Sequence, residues 1–313
     1  MAAIFNENEY IIGTADYRNN FWNAMRREPC NYNVLDQAEG KPSDEHLLPL
    51  QDAVRMDKLI AQESVLRNVC TTVKFYGGAS RIFAYDCVDF ADWVPEGGEI
   101  PLYDCMNDFS TYPVDSHKLA VFVKLNEDFV HDASFGVDDY LLRRFAKNFA
   151  KAEDDAFLNG NGETMPTGLL HAEKGAEVGA TTNSLSFDDL IKLYSSVKPE
   201  YRKDGAWLMN DDTALALRTL KDESGAYIWN SEKETILGKP VVIAEGMPDA
   251  GAGKLPVLFG DFHYYWVIRR SPVRVRSLKE KFVLYNQIGY LAIEYMDGRL
   301  IRRDAVKALK ITE

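Results

Sequence analysis

The chain is 313 residues long, enough for one large domain or two modest ones with cores of their own. Apolar residues make up 46% and charged residues 27%, an ordinary globular balance that excludes disorder for the bulk of the sequence. With 36 Lys and Arg against 48 Asp and Glu the net charge is −12, which leaves no basic surplus for gripping nucleic acid through its phosphates.

From the N-terminus, MAAIFNENEY shows no basic segment followed by an apolar one, so no secretory signal is expected. No apolar run approaches the ~20 residues of a membrane span, and no membrane partner is expected. Cys30, Cys70, Cys87 and Cys105 are widely spaced without a CxxC pair, which favours a reducing cytoplasm over a disulfide framework. Residues 1–60 hold neither period for long. The stretch 37–50 (QAEGKPSDEHLLPL) mixes Gly, Pro and charge, and the region reads as an extended arm. A helical pattern appears at Val54–Val69, with Val54, Leu59, Val65, Leu66 and Val69 on its buried side.

Residues 75–117 read as a long hairpin. Strand-like runs at Ile82–Phe90 and Pro101–Tyr112 flank the turn chemistry of Trp93-Val94-Pro95-Glu96-Gly97-Gly98. Its charge is lopsided: Asp86, Asp89, Asp92, Glu96, Glu99, Asp104, Asp108 and Asp115 against Arg81 alone. Two strands by themselves are marginal, and a solvated ribbon would leave Trp93 and Val94 exposed, so the tip around Asp92, Trp93, Val94, Glu96, Gly97, Gly98 and Glu99 is expected to lie on another subunit. Cys87 and Cys105 each lie nine residues from Glu96. A register centred there would set them opposite one another, and a slip of one residue would part them.

The strongest helix runs from Asp138 to Leu158, with Leu141, Phe145, Phe149, Ala152 and Ala156 on one face and Asn159-Gly160 as its stop. Ser186 with Asp189 resembles a capping box for a helix carrying Leu190, Ile191, Tyr194 and Val197. A strand at Ala206–Met209 leads to Asn210, the cap of a helix carrying Leu215, Leu217 and Leu220. Further strands are expected at Pro240–Ala244, Val257–Phe259, Tyr264–Arg269, Val273–Arg276 and Ile288–Tyr295, and an Asp297-Gly298 turn is expected to reverse the chain into Arg299–Ile311.

No constellation of chemical groups stands out. The five histidines, His46, His117, His131, His171 and His263, sit in unrelated contexts without a ligand neighbour. Gly77–Ser80 lacks the Lys-Ser/Thr of a phosphate cradle, Asp211-Asp212 fall in a first helical turn, and Glu153-Asp154-Asp155 read as an exposed helix face. Neither catalytic residues, metal nor cofactor are expected.

Several segments, in order, resemble the major capsid family of tailed phages with the Hong Kong 97 fold. They are Gln62–Arg67 (QESVLR), Ala91–Pro101 (ADWVPEGGEIP), Lys118–Ala120, Phe129–Asp132, Leu158–Leu169 (LNGNGETMPTGL), Leu237–Val241 (LGKPV), Phe259–Phe262 (FGDF), and Phe282–Leu309 with Asn286-Gln287 and Met296–Arg299. Together they cover the chain from about Asp36 to its end. The resemblance implies an α+β fold with an N-terminal arm (1–60), a peripheral domain (61–185) holding the extended loop 75–117 and a spine helix 138–158, an axial domain (186–261), and a return to the peripheral domain (262–313). Many relatives begin with a longer helical scaffolding segment that a protease removes, and Asp16–Arg27 would be its remnant here.

The function implied is assembly through pentamers and hexamers into an icosahedral shell around double-stranded DNA, without sequence-specific binding. An acidic inner wall suits such a container. A scaffold, a portal and a maturation protease are the further partners implied, with the virion capsid and, during assembly, the host cytoplasm as location. The acidic hairpin needs a basic acceptor, and Arg269, Arg270, Arg274, Arg276, Lys279 and Lys281 offer one, with Arg299, Arg302 and Arg303 nearby. Some family members join a loop lysine to a neighbour's asparagine with a glutamate assisting. Here no lysine lies between Lys74 and Lys118, the asparagine position falls at Gln287, and Glu294 matches the glutamate, so a noncovalent shell is expected. The alternatives are an encapsulin-like compartment of the same fold, and a cytoplasmic hydrolase with an unrecognised site.

Overall fold

Short helices account for most of the first 70 residues. The computed structural model describes residues 7–39, 43–76, 81–85, 93–96, 99, 109–132, 134–220, 227, 229, 234–278 and 280–312. It begins with α1 (Glu7–Ile12), α2 (Ala15–Arg26) and α3 (Tyr32–Glu39), followed by β1 (His46–Leu47), α4 (Leu50–Glu63) and the single turn α5 (Leu66–Val69). This corrects the reading of residues 1–60 as an extended arm. Thr14 caps α2 by accepting from the Tyr17 amide, and Arg27 ends it in the left-handed region at φ 63°. The face made by Tyr17, Phe21, Trp22 and Met25 is buried against the chain's own core. Arg18 grips the buried Asp52 of α4 with two bonds of 2.9 and 3.0 Å, and the Trp22 indole donates to the same carboxylate at 2.8 Å. On α4 the inward residues are Asp52, Met56 and Ile60, while Val54, expected inside, is exposed.

Two six-stranded sheets organise the rest of the chain. It continues through β2 (Thr71–Lys74), β3 (Arg81–Tyr85), β4 (Phe109–Pro113), β5 (His117–Asn126), α6 (Glu127–His131) and α7 (Val137–Asn159). Next come β6 (Glu177–Thr182), α8 (Phe187–Ser196), α9 (Pro199–Arg202), β7 (Ala206–Met209), α10 (Asp211–Arg218), β8 (Thr235–Ile236), β9 (Lys239–Ile243) and β10 (Val257–Gly260). β11 (Tyr265–Arg269), β12 (Arg274–Leu278), β13 (Gln287–Leu300) and β14 (Val306–Ile311) complete it. The first sheet runs β1-β12-β13-β11-β2, with β5 paired along β13, and the second β6-β14-β10-β7-β9-β8.

The long helix α7 is one residue longer at each end than its periodicity indicates. Leu141, Leu142, Phe145, Phe149 and Phe157 are among its buried residues. Ser186 and Asn210 cap α8 and α10 by accepting from the amides of Asp189 and Thr213, as their positions ahead of apolar runs imply. Ile191 and Leu215, expected inside, are exposed. One core packs α2, α3, α4 and α7 on the first sheet, and a second, holding Phe157, Leu208, Leu258, Tyr265, Val267 and Met296, lies between the two sheets.

One expectation for the C-terminal region is corrected. Asp297-Gly298 is not a turn, because β13 runs straight through it and pairs with β11 from Tyr265↔Leu300 to Arg269↔Met296. Asp297 is buried and its carboxylate accepts from the amides of Asp115, at 3.0 Å, and Gly298, at 2.8 Å, so it is not free to form the turn geometry the dipeptide favours in solvent. The last strand lies in the second sheet. β14 pairs with β10 and β6 in the second.

Candidate assembly surfaces

The ribbon of β3 and β4 is antiparallel, in register from Arg81↔Pro113 to Tyr85↔Phe109. Its base is fixed to the first sheet: Ile82 and Val114 pack with Ile268 and Ile301, and the Tyr112 hydroxyl donates to the Ile301 carbonyl at 2.8 Å. Other described side chains of this segment face solvent. Phe83 is 65% exposed, Trp93 is fully exposed, and Val94, Glu96 and Glu99 are exposed as well. Asp92, Gly97, Gly98, Cys87, Cys105 and the inner parts of both expected strands lie outside the described residues, as does Gly77–Ser80.

The basic segment is divided in its fate. Arg269 is buried, with ion pairs to Glu294 and, at 2.6 Å, to Asp57. Burial works against its charge, but Glu294 and Asp57 more than offset this and hold the guanidinium above its usual value. Arg269 is therefore a core residue and not a surface acceptor. Arg270 lies over the Phe75 ring at 5.5 Å, Arg276 pairs with Asp44 at 3.0 Å, and Lys281 stands over Phe282 at 5.8 Å. Arg274 is half-buried on β12, and Lys279 lies outside the described residues.

Sequence reasoning missed the ionic core beneath these residues. Arg67 reaches Glu153 of α7 with bonds of 2.6 and 3.1 Å, and both side chains are almost wholly buried. Glu294 lies nearby, its acidity weakened by burial despite Arg269. Asp154 accepts from the Ser64 hydroxyl at 2.6 Å and from the amides of Val65 and Leu66 at 3.0 and 3.2 Å, so it opens α5. The run 153–155 is thus no exposed face. Only Asp155 of the three is exposed. Helix neighbours diverge by about 100°, a cue that three adjacent acids cannot share one environment.

A second exposed feature left no clear signal in the sequence. Glu280–Tyr285 forms a 3-10 turn in which Val283, Leu284 and Tyr285 are 61%, 94% and 72% exposed. Asn286, at φ 51°, ends it. The histidines have local partners, such as Asp261 at 2.7 Å from His263 and Asp297 at 3.6 Å from His117. Among the described residues no His, Cys, Asp and Glu cluster could hold a metal ion.

The sequence profile of the phage capsid family matches residues 49–311, most of the chain. The chain belongs to the phage capsid family. Solved structures similar to it include the capsid of an empty GTA particle, computed with C5 symmetry, at 26% identity, TM-score 0.65, and coverage of 80% of this chain and 90% of that one. The capsid of the native GTA particle gives 27% identity, TM-score 0.63 and the same coverage. A structure from Gordonia phage Cozz, at 13% identity, TM-score 0.56 and coverage of 80% and 87%, shares the fold. No curated protein matches the chain by sequence. The capsid protein has the α+β Hong Kong 97-type fold, and its role is structural: it is a major capsid protein that assembles with itself into a shell.

Proposed function

We propose that this capsid protein forms pentamers and hexamers that close around double-stranded DNA, holding it without sequence-specific contacts. In this reading the first sheet with α7 is the peripheral part, the second sheet with α8 and α10 is the axial part, and the ribbon reaches a neighbouring subunit. A scaffold, a portal and a maturation protease act with it in the host cytoplasm before the virion is complete. The observation that carries the reading is Trp93, fully exposed in the segment between β3 and β4, two strands fixed to the first sheet by Ile82, Val114 and Tyr112. An indole held in water gains its burial free energy only when a partner covers it. The net charge of −12 supports a wall that lets its cargo go. Size-exclusion chromatography and negative-stain microscopy of the purified protein test the reading. Five- and six-fold capsomers or closed particles are expected, and a small, featureless oligomer at every concentration and salt would contradict it.

A further inference from the structure

We propose that Glu7–Leu47 is a permanent strap of the subunit, folded into its body and kept in the mature particle, rather than a leading piece that maturation removes. The part of this that concerns the particle rests on the assembly reading above. The maturation protease of that reading would then act on other chains, or on this one before Glu7. The strap lies outside residues 49–311, the span that the family profile matches, so the family match assigns it no fate.

A segment built for removal is held loosely, with a local stability far below that of the core. This one is held as the core is. Tyr17, Phe21 and Leu35 are fully buried, in one cluster with Phe145 of α7 and Tyr290 of β13. Polar ties reach the same elements and α4. Arg18 and Trp22 both bond the buried Asp52, Arg26 pairs with Asp138 at 3.3 Å, and the Tyr290 hydroxyl donates to the Met25 carbonyl at 3.1 Å. The bends between the helices are tied down too. The Asn31 amide donates to the Asn20 side chain at 2.7 Å, and the Ser43 amide to Asp36 at 3.3 Å, where a protease needs free, extended backbone.

The far end of the strap is stitched into the first sheet. β1 sets His46 opposite Val275 and Leu47 opposite Arg274, and the Tyr17 hydroxyl donates to the Leu47 carbonyl at 2.8 Å. Loss of the strap would therefore bare the edge of β12, uncover apolar surface on α7 and β13, and take both Arg18 and Trp22 from Asp52. Every subunit of a shell would carry the same wound.

The first test needs no particle. A recognition site for a sequence-specific protease is placed between Glu39 and Ser43 of the full chain, and the isolated subunit is cut to completion. The piece ending at Glu39 is expected to co-elute with the rest of the subunit in native buffer and to part from it only in denaturant. Elution of the piece by itself in native buffer would overturn the inference. The same cut chain carrying Trp22→Ala with Asp52→Ala should retain several-fold less of the piece, and equal retention would show that the Asp52 tie does not hold the strap. The second test is the intact mass of the coat protein from purified mature particles. A chain that still contains Glu7–Leu47 is expected, and one beginning at Asn8 or later would overturn the inference. Absence of any particle would overturn the assembly reading instead, and co-elution would then still decide whether the strap is part of the subunit's body.

Discussion

A Cβ on Gly298 would stand 2.5 Å from the Tyr265 hydroxyl and 3.1 Å from both Phe157 and Pro166. Tyr265 has no room to retreat, because it is fully buried and its hydroxyl donates to the Thr167 carbonyl at 2.8 Å. Gly298→Ala is therefore expected to cost about 1–3 kcal/mol, read as a lower urea midpoint at unchanged slope. A midpoint equal to wild type would remove this explanation of the glycine. The dipeptide Asp297-Gly298 was legible as a special backbone site, but the reason was not. Turn propensity is local, whereas the close approach of Tyr265 and the Asp115 amide comes from residues distant in sequence. The same limit hid the pairing of Arg67 with Glu153. Arg67→Met should cost about 3–5 kcal/mol, because it strands a buried carboxylate, and adding Glu153→Met should recover much of that loss. Equal destabilisation by the single and double variants in chemical unfolding would count against a coupled pair.

At the scale of elements, length decided what could be read. α7 has 23 residues and a sustained stripe, so its span was legible to within one residue. α2 has 12 residues, five of them buried, and its mean composition is polar, so periodicity did not mark it and only the family resemblance set Asp16–Arg27 apart as the remnant of a helical segment. Its stability comes from tertiary contact, as is usual for short helices. Trp22→Ala is expected to cost about 3–5 kcal/mol, lowering the thermal midpoint and exposing the N-terminal segment to limited proteolysis. The neighbouring β1 carries a pH dependence. Burial lowers the His46 pKa from its usual 6.5, and the negative charges of Asp36 and Asp44 only partly oppose this. The unfolded chain thus takes up the proton first on acidification. Stability contributed by neutral His46 is complete above pH 6.5 and falls as pH drops below it. Denaturant titrations across that window should show the decline in wild type, and His46→Gln should flatten it.

For the whole molecule, the absence of lysine between Lys74 and Lys118 gains a structural counterpart in Glu294. That carboxylate is fully buried against Arg269, and Gln287 donates to Asn126 at 3.2 Å, so the groups matched to the family's linking chemistry are engaged within their own subunit. Boiling mature particles in detergent should release a single monomer band, and a ladder of covalent oligomers would show that another route to linkage exists. The last strand bears on how the second sheet is held together. β14 is interior, lying between β6 and β10, with Val306, Ala308 and Leu309 fully buried. This strand alone joins Glu177–Thr182 to Val257–Gly260 among the described residues. The second sheet is thus held together by residues drawn from far apart in the chain, and its two flanks meet only across β14.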